Sequence, residues 1–172
     1  MRRDPHIHRF IDPGDALGEV MFGIIMTLTF TVGARYFMVK GEFDTNELIV
    51  GAVGCNIAWG IIDAFLYLLG ALYERRRSAG AGAAIGLTLA DGRAALLIFV
   101  LVVLTAVPAA LPFLFVADSY VALRVSNALM TVLLFGIGYC WGKHVGARPV
   151  VAGMLVMSIG IVLVLVAIPL GG

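Results

Sequence analysis

The stretch Leu48–Leu72, LIVGAVGCNIAWGIIDAFLYLLGAL, decides the fold class. It runs for twenty-five residues with one carboxylate, Asp63, and no basic side chain. A bilayer hydrocarbon core about 30 Å thick is crossed by roughly 20 apolar residues at 1.5 Å each. The stretch therefore reads as a transmembrane helix, and four more segments of similar character surround it. These are Leu17–Met38, Ala94–Val116, Val121–Gly142 and Val150–Leu170. The expected fold is an all-α membrane protein, a bundle of five transmembrane helices. Residues 1–16 form a cytoplasmic tail and residues 17–172 one helical domain.

Composition agrees. Of 172 residues, 61% are hydrophobic and 13% charged, about half the charged share of a soluble domain. Mean hydropathy is +1.01. A net charge of +1 offers nothing to nucleic acid. Cys55 and Cys140 lie in separate apolar runs and are expected to be free thiols. Arg2 and Arg3 precede a polar stretch rather than an apolar one, so no cleaved signal peptide is expected. No internal repeat is visible.

Arginine and lysine set the expected orientation. With the N-terminus in the cytoplasm, nine basic residues fall inside: Arg2, Arg3, Arg9, Arg75, Arg76, Arg77, Arg93, Lys143 and Arg148. Three fall outside: Arg35, Lys40 and Arg124. The positive-inside rule then puts the N-terminus inside and the C-terminus outside; the membrane expected is the inner (plasma) membrane of a bacterium.

Function is sought in the polar residues inside the spans. Asp63 sits near the middle of its helix, where an ionised carboxylate costs about 2.5–3.5 kcal/mol or more. No lysine or arginine lies at its depth. It is protonated, or bonded by neighbouring helices, or facing a watery path for a cation or proton. Asn56, Gly60, Asp63 and Tyr67 recur at helical spacing and form one stripe, with Trp59 beside it. Such a stripe faces protein or water, as an ion path or as a packing seam fixed by Asn56. Gly51, Gly54 and Gly60 permit close helix approach.

Glu19 lies near the inner end of the first span and Glu74 at the inner end of the second. They form a shared acidic mouth, or Glu74 pairs with the run Arg75–Arg77. Met21, Met26, Met154 and Met157 offer thioethers, which suit soft and borderline metals and also fill gaps in cores. Of these, Met26 is nearest Asp63 in depth. Asn127 is at the depth of Asn56, so a bond between them is expected. Arg124 is expected to snorkel or to pair with Asp118 or Glu47. Pro108 and Pro112 should bend the third span. Asp4, His6 and His8 lack the further ligands of a metal site.

With these residues in view, the chain resembles a small, divergent member of the vacuolar iron transporter family. The likeness is carried by Thr105-Ala-Val-Pro-Ala-Ala-Leu-Pro-Phe, Leu123-Arg-Val-Ser-Asn-Ala and Leu134-Phe-Gly-Ile-Gly-Tyr, with the closing apolar helix. The first two spans resemble the family in layout more than in letters. The resemblance implies a homodimer that moves ferrous iron or manganese, against protons, along a path lined by the first two helices. Asp63, Glu19 and Met26 are the nearest counterparts of the family's carboxylates and methionine. The glutamate-rich metal-binding insert of transporting members is missing, since Tyr73–Arg93 holds only Glu74 and Asp91 as acids.

The expected partners are the lipid bilayer, divalent cations and a second copy of the chain. No tightly bound cofactor is expected. Without a His, Asp and Ser or Cys group at one depth, the chain does not read as an enzyme. The alternative to transport is a membrane scaffold or accessory subunit whose polar residues serve packing.

Overall fold

Long apolar runs, several of them opened by polar caps, give six helices in the computed structural model, which describes residues 11–39, 44–79 and 86–167. They are α1 (Pro13–Val39), α2 (Thr45–Ala79), α3 (Leu89–Leu104), α4 (Ala106–Phe115), α5 (Ser119–His144) and α6 (Pro149–Ala167). Helices α3 and α4 are two halves of one span, so five helical units are long and apolar enough to cross a membrane. That is the form of an integral membrane protein. Asp4, His6, His8, Lys40 and Leu170 lie outside the described residues, as does the side chain of Arg35.

The helices are longer than their apolar runs because polar residues start them. Asp12 Oδ1 accepts from Gly14 N at 2.8 Å, so α1 begins at Pro13 rather than Leu17 and takes in Asp15. Asp44 Oδ1 accepts from Glu47 N at 2.8 Å, and Glu47 Oε2 accepts from Asp44 N at 3.0 Å, the reciprocal pattern of a capping box. Asp118 Oδ1 accepts from Val121 N at 2.8 Å. Asp118 and Glu47 therefore cap helices. Arg124, expected to pair with one of them, forms no ion pair among the described residues and is exposed. Helix α2 runs for 35 residues, about 52 Å at 1.5 Å per residue, so its charged last turns outreach the hydrocarbon.

Asp91 joins α2 to α3. Its carboxylate accepts from Thr88 N at 2.6 Å and Thr88 Oγ1 at 2.7 Å, and from the Arg75 guanidinium at 2.7 Å on each oxygen. This starts the third span at Leu89 rather than Ala94. Asp91→Ala is expected to lower stability by about 1–2 kcal/mol, a lost cap plus a half-exposed ion pair. Thermal unfolding in detergent measures it.

The break in the third span follows from Pro108. Proline has no N–H, and its ring crowds the carbonyl four residues back, here Leu104. The chain turns at Thr105, whose N–H donates to Val102 O at 3.2 Å. The irregularity expected from Pro108 and Pro112 is a one-residue break at Thr105, whose φ of −67° and ψ of −18° stay in the helical region, with Pro112 carried inside α4.

Helix α1 is central and touches all five other helices. Its Ile24, Leu28 and Val32 pack with Ala109 of α4 and Met130 and Leu134 of α5. Helices α5 and α6 close tightly through Gly138 and Gly142, four apart, a small-residue seam. At the turn between them Gly146 takes φ +75°, and Ala147 N donates to Gly142 O at 2.9 Å, a glycine stop of the Schellman type. A Cβ on Gly138 would stand 2.8 Å from Val156 Cβ. Gly138→Val is expected to cost about 1–3 kcal/mol by prising the pair apart, read as a lowered Tm.

The outward face of α2 presents Ile57, Ile61, Phe65 and Leu69, all exposed. In a bilayer these meet lipid tails. Cys55 and Cys140 are free thiols, as expected.

Candidate functional site

The polar stripe of α2 faces protein, but its two halves do different things. The upper half is a packing seam. Asn56 is fully buried. Its Nδ2 lies 2.8 Å from Thr27 Oγ1, 2.9 Å from Thr105 Oγ1 and 3.0 Å from Val102 O. It thereby satisfies the backbone where α3 breaks and ties α1, α2 and the interrupted span together. Gly60 lies against Phe99, and Gly23 of α1 against Thr105. Gly51 packs on Phe30, whereas nothing approaches Gly54.

Asn56 does not bond Asn127. Residue counting set their depths, but the two amides point to different neighbours: Asn127 Oδ1 accepts from Thr31 Oγ1 at 2.7 Å. Asn56 acts as a structural tie: its Nδ2 donates to α1 and the third span, its Oδ1 accepts from Thr27 Oγ1 at 3.1 Å, and it is not among the residues lining the cavity below it.

The lower half of the stripe opens into a cavity of about 430 Å³. Asp63 and Tyr67 of α2 line it with Asp15, Gly18, Glu19 and Phe22 of α1. Ile11 and Ile98 complete the wall. The spacing explains the wall. Asp15 and Glu19 are one turn apart on α1, Asp63 and Tyr67 one turn apart on α2, so two polar faces look at each other. The charges of Asp63 and Asp15 both bear on Glu19. Among the described residues, no basic side chain lines the cavity. It sits at the end of the bundle where α1 begins. His144 at the end of α5 marks the same end, its Nε2 3.5 Å from Asp12 Oδ1.

Asp63 is the unusual member. Its Oδ2 is buried without a hydrogen-bond partner, the one such side-chain atom among the described residues. A buried polar atom left unbonded costs about 1–3 kcal/mol, more when charged. Neighbouring helices do not tie the carboxyl off; it borders space shared with two other acids.

The other sequence candidates fall elsewhere. Glu74 is exposed, 3.7 Å from Arg77, and does not line the cavity. The shared acidic mouth of Glu19 and Glu74 is therefore not formed, because Glu74 lies about three turns beyond Asp63 on α2. Met26, one turn above Phe22, is not among the lining residues. No three His, Cys, Asp or Glu side chains converge as a metal-binding group among the described residues.

Asp15 is the site residue the sequence reading missed. It was assigned to the tail, yet its four-residue spacing to Glu19 was a usable signal. Comparison with family models, with curated proteins and with solved structures finds no match to this chain.

Proposed function

We propose that the chain conducts a divalent cation across a membrane through the acidic cavity between α1 and α2. Two observations on Asp63 carry this reading: its Oδ2 is buried without a partner, and the residue lines a cavity shared with Glu19 and Asp15. Intramembrane carboxylates are costly and are retained where they meet an ion or proton. A cavity walled by carboxylates and a phenol attracts cations and repels anions.

Oxygen ligands favour hard and borderline divalent ions, and the resemblance of the sequence to vacuolar iron transporters points to ferrous iron or manganese. Exchange of the cation against protons is the coupling that the resemblance implies. The basic residues near the cavity end (Arg75, Arg93, Lys143 and Arg148) support a cytoplasmic position for that end under the positive-inside rule. A homodimer is the assembly the resemblance implies.

The test is flux of ferrous iron and manganese into liposomes, with and without Asp63→Asn. Normal flux from that variant ends the assignment.

The second reading is a non-transporting scaffold or accessory subunit. It is favoured by the Asn56 lattice and by the lack of a convergent three-ligand group among the described residues. It requires that metal leave thermal stability unchanged. A manganese-induced rise in Tm that Asp63→Asn removes counts against it.

A further inference from the structure

The hairpin of α5 and α6 has no acidic residue from Ser119 to Ala167. Where α5 turns into α6, it carries Lys143, His144 and Arg148. Arg148 is exposed and makes no ion pair or side-chain hydrogen bond among the described residues.

Arg148 heads an apolar groove of about 480 Å³. Val151, Leu155 and Ile159 run down it along α6, and Trp141 of α5 forms the flank. The other lining side chains are alanine and valine. Arg148 to Ile159 is eleven residues, about 16 Å of helix. That matches one leaflet, half of a hydrocarbon core about 30 Å thick. A tryptophan near the arginine end suits the membrane interface.

We propose that this groove is a binding site for one anionic phospholipid. One acyl chain lies along Val151, Leu155 and Ile159, and the phosphate meets Arg148. Charge complementarity selects this occupant. A second copy of the chain docked here about a two-fold axis would present the same acid-free hairpin, and the acid nearest its turn, Asp12, already faces His144 at 3.5 Å. A zwitterionic lipid would fill the groove without answering the net positive charge at its head.

Native mass spectrometry of the detergent-solubilised protein tests this with phosphatidylglycerol and phosphatidylcholine of identical chains. Phosphatidylglycerol should bind more tightly. Arg148→Gln should weaken it about fivefold, the loss of one basic contact at a membrane surface, and weaken phosphatidylcholine less, because choline already offsets that lipid's phosphate. Leu155→Trp, which fills the groove, should weaken both lipids. Arg124→Gln, an exposed arginine at the opposite end of α5, should change neither. Three results overturn the site: equal phosphatidylglycerol affinity in Arg148→Gln, lipid binding that Leu155→Trp leaves intact, or a dimer mass that Leu155→Trp dissolves. The last outcome makes the groove a self-interface.

Discussion

Asp63→Asn is expected to reduce divalent-metal flux to the background of empty liposomes while the protein stays folded. The substitution keeps the shape of the side chain and removes its charge. Asp63 Oδ2 has no bonding partner to lose, so no native interaction is broken. An ionised carboxylate at mid-membrane costs about 2.5–3.5 kcal/mol, and an amide is cheaper to bury. Stability should therefore hold or rise, even as activity disappears. That opposite movement is the mark of a functional acid, since a structural one would lose both together. Glu19→Gln should lower flux less, because Asp63 and Asp15 would still supply negative charge. Glu74→Gln should leave flux unchanged, since Glu74 is exposed beside Arg77 and outside the cavity. If Asp63→Asn transports normally, the cavity is not the path.

The largest structural effect is expected at Asn56, about two helical turns above Asp63. Asn56→Ala should lower stability by about 2–3 kcal/mol. Interhelical hydrogen bonds in membranes average about 0.6 kcal/mol and reach about 1.7. Asn56 makes several at once, to Thr27, Thr105 and Val102 O. Alanine also leaves a void in a fully buried position, which adds a packing loss. The interruption at Thr105 makes the site less forgiving, because Pro108 has already removed a backbone bond there. Thermal unfolding in detergent reads the loss. A change below about 0.5 kcal/mol, within the range of an inconsequential surface substitution, would show that the break holds without this tie. Measured together, Asp63→Asn and Asn56→Ala separate the two halves of one stripe: the first removes transport and spares the fold, the second does the reverse.

Much of the architecture was legible before any coordinates. The five spans follow from apolar length, since only a helix of about twenty residues can cross hydrocarbon with its backbone bonded. Helical spacing along α2 puts Asn56, Gly60, Asp63 and Tyr67 on one face, read as turned toward protein or water; Asn56 is buried among helices and Asp63 and Tyr67 line the cavity. Pro108 announced an irregularity in the third span, although its position at Thr105 depended on which carbonyl the ring displaced.

Partnerships were less legible. Asn56 was matched with Asn127 on depth, yet each amide found a threonine on α1 instead, Thr27 and Thr31 respectively. Asp118 and Glu47 were considered partners for Arg124 but cap their own helices. Local bonds of this kind form within three residues and need no distant side chain to be held in place. Asp15 was counted as tail because the apolar run begins after it, whereas its helix begins earlier, at a cap.

The sequence by itself determined how many helices there are, which residues share a face, and that one acid lies deep in hydrocarbon. Tertiary structure alone decided that α1 and α2 part below Gly60, so that Asp63, Glu19 and Asp15 border common space while Asn56 is sealed in. The physical reason is that residue spacing fixes height and angle on a single helix. Only packing against Phe99, Thr105 and their neighbours fixes how one helix is turned toward another.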